Sequence, residues 1–469
     1  MVQLCGSLRR RVLSLLTSLA LLTGLAASTV SGHAANDCSQ GTIGGATYKI
    51  EKPAAWNGTL VLYSHGYVTP GSANPARDVG DPATGAFLLA HGYALAGSSY
   101  SRTGWALEQA FVDQIALLDF FEQNCGHPKR ILAWGHSLGG IITAGLIQKF
   151  PERFSGALPM CGVLAGGVGV WNEGLDGEFV FKTLLAPNSP LNLVQIANPG
   201  GNLALAEQIL ATAQGTPQGR ARLALVAAVG DLPGWFDPAS PEPGSEDFAA
   251  QEFNQFLWNS RVDFPFGFAL RAELEFRAKG NPSWNTGVDY RKQLDRSIDR
   301  EEVEALYEQA GLDLDQDLET LNRAPRIAAD AAAAQYLIQN IIFNGNLHGL
   351  PVLTMHTSGD GLVLVQDAQA YAGAVRAAGN QKLLREIFVH RAGHCSFTPA
   401  ETITAFQTLV HRLDAGKWSD TDEPAVLNAQ AMALGPLNIA SPAFFEFEPS
   451  VFLRPFDTRS LRHNDSDDE

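Results

Sequence analysis

Gly135-His136-Ser137-Leu138-Gly139 stands between two segments of different character, and that setting narrows the possible folds sharply. Ahead of it, Arg130-Ile131-Leu132-Ala133-Trp134 reads as a short strand buried on both faces; behind it, a helix is predicted from about Leu138 to Phe150, where Pro151 ends it. A strand that turns into a helix this abruptly forces Ser137 into strained dihedrals, which only glycines at both flanks can accommodate. The turn also lifts the serine hydroxyl clear of the sheet. The start of the helix then points its free amides and its positive dipole end at the same spot. Short Gly/Ser patterns arise by chance, so the weight of this one depends on its partners elsewhere in the chain.

Similar alternations flank it. Thr59-Leu60-Val61-Leu62-Tyr63 and Tyr93-Ala94-Leu95-Ala96-Gly97 read as buried strands. The second precedes a helix over about 106–124, where Phe111, Ile115, Leu118 and Phe121 recur at helical spacing. Phe154 to Cys161 gives another strand. The cycle resumes with strands at Pro351–His356 and Leu384–His390 and helices near 363–378 and 399–413. Strands alternating with helices imply an α/β fold with a doubly wound, mostly parallel sheet. At 469 residues the length alone suggests about three domains, but α/β cores with insertions reach this size. The segment 166–349 is too long for a connection and reads as a large, mainly helical inserted lid on a core of 36–165 and 350–469. Its aromatics, Trp171, Trp235, Trp258 and Trp284 among them, supply the insert's core and, where they face the crevice at the sheet edge, an apolar underside for the lid.

Residues 1–35 carry Arg9-Arg10-Arg11, an apolar run from Val12 to about Ala27 and then small residues, the order of a secretory signal peptide. The run is shorter than the ~20 residues a spanning helix needs. Its removal takes three arginines and no acids, so the formal charge of −16 becomes −19. Such an acidic surface argues against nucleic acid as a partner and against stable association with anionic membranes. An exported, extracellular protein is expected. Cys38, Cys125, Cys161 and Cys395 then remain, an even number whose three possible pairings stay open at this point. They show no metal-ligand spacing, so no metal is expected. Asp313-Leu314-Asp315-Gln316-Asp317 lacks the glycine and glutamate of a calcium loop and reads as an acidic, solvated helix face.

A serine hydroxyl is a poor nucleophile at neutral pH and needs an imidazole base, itself oriented by a carboxylate. Asp360, in Ser358-Gly359-Asp360-Gly361, follows one predicted strand and His394, in Ala392-Gly393-His394-Cys395, follows the next. Both therefore fall at the strand ends where Ser137 is expected. Asp367 is the alternative acid. Ser64-His65-Gly66-Tyr67 leaves a buried strand through a glycine, so the amides of Tyr67 and Leu138 are the expected oxyanion donors. His65, His136, His356 and His390 read as locally hydrogen-bonded.

Strand, His-Gly, nucleophile elbow, inserted lid, then Asp and His in that order resemble the α/β-hydrolase superfamily over about 42–162 and 350–415. The resemblance implies an eight-stranded, mostly parallel sheet, a Ser137–Asp360–His394 triad and no cofactor. The pair His394-Cys395 is also similar to the tannase and feruloyl esterase family, in which a disulfide ties the histidine loop to a cysteine beside the nucleophile. Here His136 occupies that place. The resemblance then implies Cys161 as the substitute anchor for Cys395, which leaves Cys38 with Cys125. The expected function is a secreted serine hydrolase cleaving carboxylic esters, small or polymeric, with a hydrophobic or aromatic moiety. The alternatives are a secreted exopeptidase using the same triad, favoured by acidic lid residues that bind a free amino terminus, and a catalytically dead binding module.

Overall fold

Long apolar runs without a polar face have to be covered on both sides, and this requirement builds the molecule. A computed structural model describes residues 38–419 and 422–456; the leader at 1–35 and the acidic run at 464–469 lie outside them. Among the described residues nine strands form one sheet: β1 (Gln40–Ile43), β2 (Ala46–Glu51), β3 (Thr59–Ser64), β4 (Ala94–Ser98), β5 (Arg130–His136), β6 (Gly156–Met160), β7 (Val352–Gly359), β8 (Leu384–Ala392) and β9 (Phe444–Phe445). Their order is β1-β2-β4-β3-β5-β6-β7-β8-β9. The six strands from β4 to β8 are mutually parallel, and the edges are antiparallel. The sheet has one strand more than the eight expected. The hairpin β1–β2 and the two-residue β9 are short additions at the edges, four, six and two residues long.

The helices of the sheet layers are α1 (Pro82–Ala90), α2 (Leu107–Asn124) and α3 (Leu138–Lys149), then, after the insertion, α13 (Gln366–Ala377), α14 (Pro399–Ala415) and α15 (Pro424–Ala433). One face of the sheet buries Leu60, Leu62 and Ile131 with Phe111, Leu118 and Ile142 of α2 and α3. The other buries Val61, Leu132 and Leu353 with Leu88 of α1 and Phe406 of α14. The strand after β3 lies on one side of it and the strand after that, β5, on the other. The crevice at their carboxyl ends is thus a topological switch point.

Between β6 and β7 run α4 (Gly166–Leu185), α5 (Pro199–Gln214), α6 (Pro217–Val229), α7 (Phe248–Trp258), α8 (Arg271–Ala278), α9 (Tyr290–Arg296), α10 (Arg300–Ala310), α11 (Leu314–Arg323) and α12 (Ala331–Asn340). They close over an apolar core of their own around Phe179, Val180, Leu225, Phe268 and Tyr307. Asp317, expected on a solvated face, is instead buried. It accepts from Arg222 Nε at 2.8 Å and from Tyr307 Oη at 3.1 Å, so the acidic run has one side turned inward to a cation. Among the described residues no helix is long and apolar enough to cross a membrane.

Candidate active site

The turn from β5 to α3 is as tight as the Gly-x-Ser-x-Gly sequence demands. A Cβ at Gly139 would stand 1.9 Å from the carbonyl oxygen of Ser64, and one at Gly135 would stand 2.5 Å from the same oxygen. Ser137, the residue before α3, holds φ 60° and ψ −125°, a conformation costly for any side chain. Gly66, just past β3, packs so close that its Cβ would lie 3.7 Å from Ser137 Oγ. Tyr67, Ser137 and Leu138 line one cavity at the switch point.

Asp360 follows β7 and is 1% exposed. Its Oδ1 accepts from the amides of Leu362 and Val363, both at 3.1 Å, and its Oδ2 accepts from His394 Nδ1 at 2.8 Å. His356 Nε2 stands 3.6 Å from the same oxygen. Burial alone would raise its pKa, but the charge and hydrogen bond of His394 and the proximity of His356 prevail and hold it down at about 2. The carboxylate is therefore ionised and fixes the histidine ring. The other histidine nitrogen, Nε2, lies 3.3 Å from Cys395 Sγ.

The Ser137 amide donates to the carbonyl of Met160 at 3.1 Å. The next residue, Cys161, forms a disulfide with Cys395, the neighbour of His394. One hydrogen bond and one covalent bridge thus join the serine turn to the histidine loop. The second disulfide, Cys38–Cys125, ties the start of the described chain to the end of α2.

The alternative acid, Asp367, points elsewhere: its Oδ1 accepts from the Ala165 amide at 2.7 Å, and burial pushes its pKa up to about 7. His65 binds the Gly66 carbonyl through Nδ1 at 2.7 Å and stacks on Tyr100. His136, between the glycine and the serine, lies 3.2 Å from Tyr63 Oη and is pushed down to about 4 by burial, so it is neutral. His356 binds the Val363 carbonyl at 2.8 Å, and His390 pairs with Glu242 at 3.1 Å.

The cavity beside Ser137, about 140 Å³, is walled by the insert as well as by the sheet edge. Trp105, Trp171, Phe264 and Phe266 give it an aromatic surface. Sequence reading missed three further liners, Glu173, Glu178 and Asp263. The available signal was three acids in α4, Glu173, Asp176 and Glu178, among residues that are mostly glycine and apolar.

Residues 87–165 match the prolyl oligopeptidase family. Over 420 residues the chain is 31% identical to an o-phthalyl amidase of Xanthobacter agilis, a match covering 83% of this chain and 89% of that protein. Among solved structures it is similar to feruloyl esterase B from Aspergillus oryzae, at 16% identity and a TM-score of 0.44 over 81% of this chain and 80% of that one. An esterase from Aspergillus oryzae matches at 16% identity and a TM-score of 0.39 over 79% and 77% of the two chains.

Proposed function

The chain belongs to the family of the o-phthalyl amidase, among the serine hydrolases of the α/β-hydrolase superfamily, and from that membership we propose that it cleaves carboxylic esters or amides of a hydrophobic or aromatic acyl group through an acyl-enzyme on Ser137. The hydrogen bond from His394 Nδ1 to a buried, ionised Asp360 carries this reading, because it leaves Nε2 as the nitrogen available to take a proton. Ser137 Oγ attacks the acyl carbonyl as His394 Nε2 accepts its proton. The negative charge that develops on the carbonyl oxygen is met by the amides of Tyr67 and Leu138. His394 then returns the proton to the departing alcohol or amine, and water attacks the acyl-enzyme by the same route in reverse.

Two disulfides among the described residues suit an oxidising, extracellular setting, in keeping with the leader-like segment at the amino terminus. The aromatic cavity favours a small-molecule or polymer-borne ester or amide with a flat apolar acyl part. A fluorophosphonate probe tests the mechanism. Folded protein should be labelled on one residue, and Ser137→Ala should abolish the label; a label that survives the substitution overturns the assignment. Para-nitrophenyl esters and para-nitroanilides of one aromatic acid then separate ester from amide preference.

A further inference from the structure

Trp105, in the loop between β4 and α2, is 5% exposed and lines the cavity beside Ser137. It precedes the first turn of α2, so no carbonyl of that helix takes its amide. The amide donates instead to Glu273 Oε2 at 3.0 Å, a carboxylate 168 residues further along the chain, on α8. Two π-helical turns, Asn259–Asp263 and Phe266–Leu270, lead into α8, and Asn259, Asp263, Phe264 and Phe266 of that stretch line the same cavity. Glu273 thus fastens the part of the insert that walls the cavity to a core residue that walls it as well.

The contact is reinforced from both sides. Arg277, one turn further along α8, donates from Nε to Glu273 Oε1 at 2.9 Å, from Nη2 to the Thr103 carbonyl at 2.9 Å and from Nη1 to Gln109 Oε1 at 2.8 Å. The guanidinium keeps the carboxylate in place, and a charged acceptor binds an amide more strongly than a neutral one. Gly104 holds φ 78°, and a Cβ there would run into the Glu273 carboxyl group. The Gly104 amide donates to the Val68 carbonyl at 2.8 Å, next to Tyr67. The loop 103–105 is therefore pinned between Glu273 and the segment that follows β3. Within the cavity wall the Trp105 ring stands edge-on to Trp171, with centroids 5.6 Å apart.

We propose that Glu273 is a positioning residue for acyl-group selection: through the Trp105 amide it fixes the Trp105 ring as the wall against which a flat aromatic acyl group packs. The inference rests on the acyl-transfer reading of Ser137. An acceptor that served the fold alone would, on removal, lower stability and slow every substrate alike. A positioned wall behaves differently, because an aryl ring loses its packing surface whereas a two-carbon acyl group has little surface to lose.

The test compares para-nitrophenyl benzoate with para-nitrophenyl acetate. Glu273→Ala should lower the benzoate-to-acetate ratio of kcat/KM about tenfold, chiefly through KM for the benzoate, and leave the acetate within about threefold of the parent. Glu273→Gln keeps an oxygen for the Trp105 amide but loses the charge that Arg277 holds, and should lower the ratio about threefold. Trp105→Leu should lose the same preference, and adding Glu273→Ala to it should change the ratio by less than about twofold, since both act through one ring. An unchanged ratio in Glu273→Ala, an equal loss on both esters, or a full further loss in the Trp105→Leu background overturns the proposal. Should Glu273→Ala fail to fold, Glu273→Gln decides, and a parental ratio there refutes it; failure of both to fold makes Glu273 a folding residue and refutes it equally. Fluorophosphonate labelling of Ser137 with an unchanged acyl ratio removes only this inference, whereas labelling that survives Ser137→Ala removes the acyl-transfer reading beneath it.

Discussion

Cys161 and Cys395, bridged with their Cα atoms 5.4 Å apart, connect the serine turn to the histidine loop. Both hold positive φ, 41° and 53°, as does Ser137 at 60°. Left-handed backbone at three side-chain-bearing residues concentrates strain at this site, and it persists only where the surroundings over-determine it. The disulfide is one such constraint. Because it spans 234 residues, it also limits the unfolded chain by as much as about 5 kcal/mol on a loop-entropy account.

Breaking that bridge should therefore affect activity and stability together. Cys161→Ala combined with Cys395→Ala should lower kcat/KM for a para-nitrophenyl ester by about 10- to 100-fold, chiefly in kcat, because a loosened His394 loop misplaces the base. The apparent Tm should fall in parallel. Full activity in the double variant, with loss of the bridge verified by mass, would show that the histidine loop holds itself in place.

The two candidate acids differ in what they hold. Asp360 holds His394, whereas Asp367 holds the Ala165 amide. Asp360→Asn should cost about 10⁴-fold in kcat, since the amide cannot stabilise the imidazolium or enforce its tautomer. Asp367→Asn keeps an oxygen for the Ala165 amide and should stay within about tenfold of the parent. Steady-state rates on one ester distinguish them, and the reverse ranking would move the acid role to Asp367.

Legibility in the sequence followed locality. Ser137 and its glycines were readable because the turn is defined by its immediate neighbours, and Asp360 and His394 because each directly follows an apolar strand. Asp317 was misread, since Arg222, which draws it inward, is far away in the chain. Glu173 and Asp263 were missed for the same reason: one lies on α4, the other in a π-helical turn, and only the folded insert brings them to one cavity. The His394-Cys395 pair pointed to a disulfide near the site through family resemblance, whereas its close approach to Cys161 depends on β6 and β8 ending at the same sheet edge.

The elbow itself makes a steric prediction. A methyl at Gly139 would meet the Ser64 carbonyl at 1.9 Å, backbone against which nothing can yield without moving β3 or α3. Gly139→Ala should either prevent folding or leave a folded protein whose fluorophosphonate labelling rate has dropped at least about 100-fold. Far-ultraviolet circular dichroism with labelling kinetics separates these outcomes. A folded variant labelled at the parental rate would contradict the packing at this turn.

The buried acids set the pH dependence of stability, and the sign follows from where their protons sit. Burial raises Asp231, Glu252 and Asp367 to about 7 and Glu302 to about 9, against roughly 4 for an unfolded carboxyl. Between about pH 4 and 7 the folded chain thus keeps protons that the unfolded chain releases. Their contribution to stability is full below about pH 4 and is lost as pH rises through the folded values. Asp360 runs the other way: held at about 2, it contributes above the unfolded value and loses that contribution as pH falls through about 2. Thermal unfolding should give a Tm at about pH 5 some 5 °C or more above that at about pH 7.5, with a downturn only in strong acid. Glu302→Gln keeps an oxygen for Gln255, whose Nε2 donates to it at 3.0 Å, and should flatten the slope above about pH 5. A Tm that climbs from about pH 5 to 7.5 would mean that these carboxyls are ionised in the folded protein.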